Sequence, residues 1–189
     1  IRTFFDFKPM DKSDYLGGRF MATFFLNVLF LLAAPVGLYL TMQLPMIDAA
    51  LLGPFEIEAF LQPYISFLIP NAFIVAAIIF AITLLKQRML WSYACGVGLL
   101  LFSAVCDSVL ANTLGLGQLG ALLDPFAFTA MSELSHTLTP FEKNTQLISL
   151  SGILFWNRML WILLAIAVLL YARIKFCLEI SPKHLPETH

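Results

Sequence analysis

Side chains that could do chemistry are concentrated in residues 124–161, between two long apolar stretches. Glu133 and His136 have the Glu-x-x-His spacing used on the helices of di-iron sites, but such a site needs a second pair of this kind and further carboxylates. The other two histidines, His184 and His189, lie in the carboxyl-terminal tail. The sequence therefore predicts neither a metal site nor a bound cofactor.

Other motifs give little support to an enzyme. Zinc-protease chemistry needs a His-Glu-x-x-His pattern, which the chain lacks. Ser151 and Gly152 follow His136, but no nucleophile elbow surrounds the serine, and a Ser-Gly pair more simply begins a helix. The glycine-rich run at 114–120 has neither the lysine nor the preceding strand of a phosphate-binding loop. We therefore predict that the chain is not itself an enzyme.

Composition is typical of an integral membrane protein. Apolar residues make up 60% of the chain and charged residues only 12%, with a mean hydropathy of +0.86, which lies outside the range of soluble domains. The net charge is −1, and the bases lie in short clusters at the ends of apolar stretches. This distribution predicts a lipid membrane as a partner and argues against nucleic acid.

Four apolar stretches are long enough to cross the hydrocarbon core of a bilayer, which takes about 20 helical residues. They predict an all-α integral membrane protein with transmembrane helices near residues 20–42, 63–85, 90–112 and 153–172. Pro35 predicts a kink in the first span, because proline removes a backbone donor. Pro63 and Pro70 predict an irregular first half of the second span.

The positions of the basic residues predict the orientation in the membrane. Nine of the 11 Lys and Arg residues flank one side, whereas Lys143 and Arg158 lie on the other, and cytoplasmic loops carry the excess of bases. The prediction is a cytoplasmic juxtamembrane segment at 1–19, a transmembrane domain at 20–172 and a cytoplasmic tail at 173–189.

The outer polar segment at 121–152 then lies on the non-cytoplasmic side. Asp124-Pro125 and Thr139-Pro140 each have the residue types of a helix start, with a capping side chain followed by proline. We therefore expect two short interfacial helices in this segment, packed at the outer surface of the membrane.

Ionisable residues within spans are candidates for function, because they are costly in hydrocarbon. The candidate structural or transport residues are Asp107 in the third span, Asp124 and Glu133 in the polar segment, and Asn157-Arg158 near the start of the last span. Two interpretations of Arg158 remain open. It is an anchor in the headgroups or the buried partner of an acid, and we favour the partner because a planar guanidinium suits a carboxylate.

Short motifs are spread along the whole chain. They are Gly18-Arg19-Phe20, Pro70-Asn71, Asp124-Pro125-Phe126, Thr139, Glu142, Asn144-Thr145, Ser151-Gly152 and Asn157-Arg158-Met159-Leu160-Trp161. Together they resemble the membrane subunits of bacterial ABC exporters with six spans, above all the permeases that are fused to a zinc aminopeptidase domain. The chain departs from the family at Ala127, Thr137-Leu138 and Lys143, where the family often has Gly, an aromatic-Trp pair and Arg.

The resemblance implies a permease of the bacterial inner membrane, of which this chain holds the last four of six spans. It implies two partners, a separate ABC ATPase subunit and a second permease half. Residues 1–19 would end the cytoplasmic connection to the ATPase, which makes Lys8, Lys12, Asp14 and Arg19 the candidate coupling residues. The alternative is a helical accessory subunit that stabilises a membrane complex and transports nothing.

Overall fold

The computed structural model describes residues 12–44, 56–86, 88–139, 141–142, 147 and 150–179, and its elements are helices, as predicted. In chain order they are α1 (Lys12–Leu31), α2 (Ala33–Met42), α3 (Ile57–Pro63), a π-helical turn (Tyr64–Leu68), α4 (Ile69–Lys86), α5 (Met89–Val105), a π-helical segment (Cys106–Thr113), α6 (Gly117–Leu123), α7 (Phe128–Thr137) and α8 (Gly152–Glu179). Lys8, Lys143 and the tail from residue 180 lie outside the described residues.

Within the described residues, four helical stretches are long and apolar enough to cross a membrane. They are Asp14–Met42, Ile57–Lys86, Met89–Thr113 and Gly152–Lys175. Each contains one of the spans expected from the sequence and extends beyond it. The chain therefore has the architecture of a multi-pass, all-α membrane protein.

Prolines interrupt two of these stretches, as predicted. The first breaks at Leu32, three residues before Pro35, which has no N–H to donate to the preceding turn. In the second, Pro63 and Pro70 flank the π-helical turn at Tyr64–Leu68, and α4 then continues as a regular helix to its end.

α4 lies at the centre of the bundle and packs against α1, α5 and α8. Ile74 and Ala77 of α4 form a buried core with Trp161 and Ala165 of α8 and with Phe20 of α1. Asn71 bonds to Arg158, and the core residues of both helices follow at higher numbers, so α4 and α8 run in the same direction. Small side chains at the contact allow the helices to approach closely.

Of the two short helices predicted for the outer polar segment, the one expected after Asp124-Pro125 is present as α7. The one expected after Thr139-Pro140 lies largely outside the described residues. The structure adds α6, which was not predicted. α6 packs against α8 and the π-helical segment, and α7 packs against α6. Thr139 and Glu142 form a reciprocal capping box, in which the N–H and hydroxyl of Thr139 donate to Glu142 Oε2 at 2.7 and 2.8 Å and the N–H of Glu142 donates back at 3.3 Å. α7, however, begins at Phe128 and not directly after Asp124-Pro125.

Candidate functional site

A buried carboxylate organises the turn between α6 and α7. Asp124 is inaccessible to solvent. Its Oδ1 accepts hydrogen bonds from the Ser103 hydroxyl of α5 at 2.6 Å and from the N–H of Phe126 at 3.0 Å. Its Oδ2 accepts from the N–H and the hydroxyl of Thr129 at 2.8 and 3.1 Å. Asp124 thus caps the first turn of α7 through Thr129 and connects that helix to α5 through Ser103.

The delayed start of α7 has a local cause. Ala127, immediately before the helix, is buried and has a left-handed backbone with φ of 59°. This conformation costs a residue with a Cβ about 1–2 kcal/mol, whereas glycine adopts it freely. A glycine at this position would therefore adopt the turn without that cost.

Asn157 closes the other side of this turn. The side chain is fully buried on α8. Its Nδ2 lies 2.7, 3.0 and 2.8 Å from the carbonyl oxygens of Ala121, Leu122 and Asp124, so its two N–H groups are shared among three acceptors. Carbonyls at the end of a helix lack partners within that helix, so the Asn157 amide satisfies the end of α6 where it is buried in protein.

Arg158 is 4% exposed, which rules out an anchor in the headgroups. Its Nε donates to Asn157 Oδ1 at 3.0 Å, its Nη1 to Asn71 Oδ1 at 2.6 Å and its Nη2 to the carbonyl oxygen of Pro125 at 3.4 Å. Asn71 in turn donates from Nδ2 to the carbonyl oxygen of Phe126 at 3.3 Å. We call Asn71, Ser103, Asp124, Thr129, Asn157 and Arg158 the polar cluster.

The acid that accompanies Arg158 is Asp124, but the two do not meet through a direct hydrogen bond. Among the described residues, each hydrogen bond of Arg158 goes to an uncharged oxygen. Asp124 is linked to Arg158 through Asn157, which donates to the Asp124 carbonyl oxygen and accepts from Arg158 Nε, while the Asp124 carboxylate is held by Ser103, Phe126 and Thr129. The burial of Arg158 agrees with the favoured interpretation, but the direct guanidinium–carboxylate contact that it assumed is not formed in the described part of the chain.

The other candidate residues lie away from the cluster. Glu133 is exposed on α7, and its carboxylate lies against Gly117 at the start of α6. Asp107 is half-buried in the π-helical segment. Of the predicted coupling residues, Lys12 begins α1, and Asp14 and Arg19 are exposed on the same helix.

Three residues of the polar cluster were absent from the sequence prediction of the site. Asn71 had a signal, since it is a strongly polar residue in an apolar span directly after Pro70. Ser103 and Thr129 had none, because such hydroxyls often bond to their own helix. Within the described residues, no three His, Cys, Asp or Glu side chains come together as metal ligands.

The polar cluster lies at one common distance from the bases at the far ends of its helices. Three of its residues each stand 15 positions from a base along a regular helix: Asn71 from Lys86, Ser103 from Arg88 and Arg158 from Arg173. At 1.5 Å per residue this is about 22 Å, less than the roughly 30 Å of a hydrocarbon core. Because such bases mark the edge of the core, the helix geometry favours a position of the α6–α7 turn within the membrane. The interfacial position expected from the sequence stays a prediction.

A groove of about 680 Å³ runs between α1 and α4 and ends at the polar cluster. Arg19 lies at one end, and Asn71 and Phe126 lie at the other. The only charged side chain in its described lining is Arg19. The groove and the cluster are therefore parts of one continuous site.

Comparisons with protein-family models, with curated proteins and with solved structures find no match for this chain. Its function must therefore be argued from the arrangement of its own residues.

Proposed function

We propose that this chain is the membrane-spanning permease part of an ABC-type exporter in the bacterial inner membrane. In this proposal it forms part of the substrate path, pairs with a second permease half and couples to separate ATPase subunits. The observation that carries the proposal is the polar cluster. Residues from Pro70-Asn71, Asp124-Pro125-Phe126 and Asn157-Arg158, three motifs of the permease resemblance, join in one hydrogen-bonded network.

The convergence matters because these motifs are far apart in the chain. Asn71 and Arg158 are separated by 87 positions and bond at 2.6 Å. Motifs that act as one unit in space support the resemblance more strongly than the same motifs read separately.

The test is purification of the full chain from its native membrane in a mild detergent, followed by mass spectrometry. We expect a co-purifying protein with a Walker motif and an ATPase activity in the same fraction. Asp14→Arg, at the predicted coupling end, should reduce the amount of this partner. Glu58→Arg is the matched control, because Glu58 is also exposed but lies on α3, beyond the polar cluster. Repeated absence of an ATPase from the unchanged protein would contradict the proposal.

The accessory subunit is the second candidate function. The dense bonding of the polar cluster favours it, because fully satisfied polar networks rigidify the core that contains them. The same purification separates the two functions. A constant set of partners without any ATPase is the result expected of an accessory subunit.

A further inference from the structure

The groove between α1 and α4 has one charged end and a long neutral wall. Arg19 is exposed at the end where Thr83 and Leu84 also lie, next to the base Lys86. The rest of the wall is neutral, with these members: Thr23, Asn27, Phe30, Leu31, Asn71, Ala72, Val75, Ala76, Ile79, Phe80, Thr83, Leu84 and Phe126. The floor contains Ala72 and Ala76, whose small side chains leave room for an occupant.

Polar side chains of this wall bond to the backbone of their own helices. Thr23 donates to the carbonyl oxygen of Arg19 at 3.0 Å, and Asn27 donates to that of Thr23 at 2.9 Å. Thr83 donates to the carbonyl oxygen of Ile79 at 2.7 Å. Because these side chains donate to carbonyl oxygens of their own helices, the surface of the groove is mainly hydrocarbon. It suits an apolar occupant that makes no hydrogen bonds.

The length of the wall defines that occupant further. From Arg19 to Phe30 the helix advances 11 residues, which is about 16 Å at 1.5 Å per residue. One leaflet of hydrocarbon is about 15 Å thick, half of the bilayer core. A hydrocarbon chain that lies along the groove with a polar group at Arg19 therefore spans one leaflet.

We propose that the groove binds an acyl chain of an anionic phospholipid whose phosphate lies at Arg19. Charge complementarity selects the headgroup, because a base at a membrane surface attracts anionic lipids. The apolar wall favours the acyl chain of the lipid. The site lies within a single copy of the protein and does not depend on the proposed transport function.

The first test measures lipid retention by native mass spectrometry. The full chain in detergent is titrated with phosphatidylglycerol or phosphatidylcholine of the same acyl composition. We expect phosphatidylglycerol to be retained preferentially, and Arg19→Ala to reduce that preference about fivefold, the factor for one base near an anionic surface. Arg88→Ala is the control, because Arg88 is exposed and lies outside the groove. Equal losses in both variants, or no loss in either, would overturn the proposal.

The second test identifies what occupies the groove. A photo-crosslinking amino acid replaces Val75, and the full chain is irradiated in nanodiscs of phosphatidylglycerol and phosphatidylcholine. We expect a lipid adduct that is lost when Ala76→Phe fills the floor, provided that the filled variant melts as the parent does. An adduct with a second copy of the chain or with another protein would show that the groove is a protein interface, and would overturn the proposal.

Discussion

Replacing Arg158 by leucine should destabilise the protein by about 3–6 kcal/mol, because it removes two hydrogen bonds that a buried charged donor makes. The change leaves Asn157 Oδ1 and Asn71 Oδ1 without their donor. Each hydrogen bond from a charged donor contributes about 1.5–3 kcal/mol, so two give this sum. The third bond, at 3.4 Å, is long and adds little.

A thiol-reactive dye can measure this loss during heating, because Cys106 is fully buried three residues after Ser103. For a chain of this size 1 kcal/mol corresponds to about 2–4 °C, so we expect the melting temperature in detergent to fall by about 10 °C. Arg158→Lys keeps the charge, but a single ammonium cannot reproduce the planar fork between Asn157 and Asn71. It should recover part of the loss.

The matched control is Arg173→Leu, which removes an exposed base from the same helix. Exposed substitutions usually change stability by less than about 0.5 kcal/mol, so this variant should melt close to the parent. If Arg158→Leu and Arg158→Lys also melt like the parent, the polar cluster does not hold the bundle together and the reasoning is wrong.

Two further predictions test close packing and capping. Gly120→Ala should destabilise by about 1–3 kcal/mol, because its Cβ would lie 2.8 Å from the carbonyl oxygen of Cys106, whereas Gly96→Ala, with a nearest contact of 3.8 Å, should not. Equal melting temperatures for the two variants would exclude the close approach. Hydrogen bonds from Thr139 lower the pKa of Glu142 below 4.5, so the capping box stabilises the fold above about pH 4.5 and is lost as the pH falls through the lowered pKa. In a carboxyl NMR titration Thr139→Ala should raise this pKa part of the way, because it removes the hydroxyl bond and keeps the stronger bond from the backbone N–H. An unchanged value would rule out the hydroxyl bond.

Much of the fold could be predicted because membrane spans leave few alternatives. A long charge-free run must form a helix to satisfy its backbone in lipid, and Pro35, Pro63 and Pro70 then mark where the helices become irregular. The capping box at Thr139 was also predictable, because threonine and glutamate three positions apart form a local pattern.

The polar cluster was only partly predictable. Asp124, Asn157 and Arg158 could be identified as candidates because polar groups are costly in a membrane, but their partners could not. Arg158 bonds to Asn71, which is 87 positions away, and to a backbone carbonyl. Every residue carries a carbonyl, so the sequence does not indicate which one is left free by a helix end. Which carbonyl is left free depends on the turn at Ala127, where an alanine adopts a conformation that is usual for glycine.

The common depth of the charges in the polar cluster also determines how the protein responds to an electric field. A unit charge that crosses the whole membrane gains about 2.3 kcal/mol per 100 mV. The polar cluster lies about 22 Å from the bases, so most of the potential difference falls between the two. Asp124 and Arg158 lie close together there, so their opposite couplings cancel. The energy of the unchanged cluster therefore does not depend on the membrane potential. Removing Arg158 alone ends this cancellation, and the stability of that variant depends on the membrane potential as long as Asp124 keeps its charge.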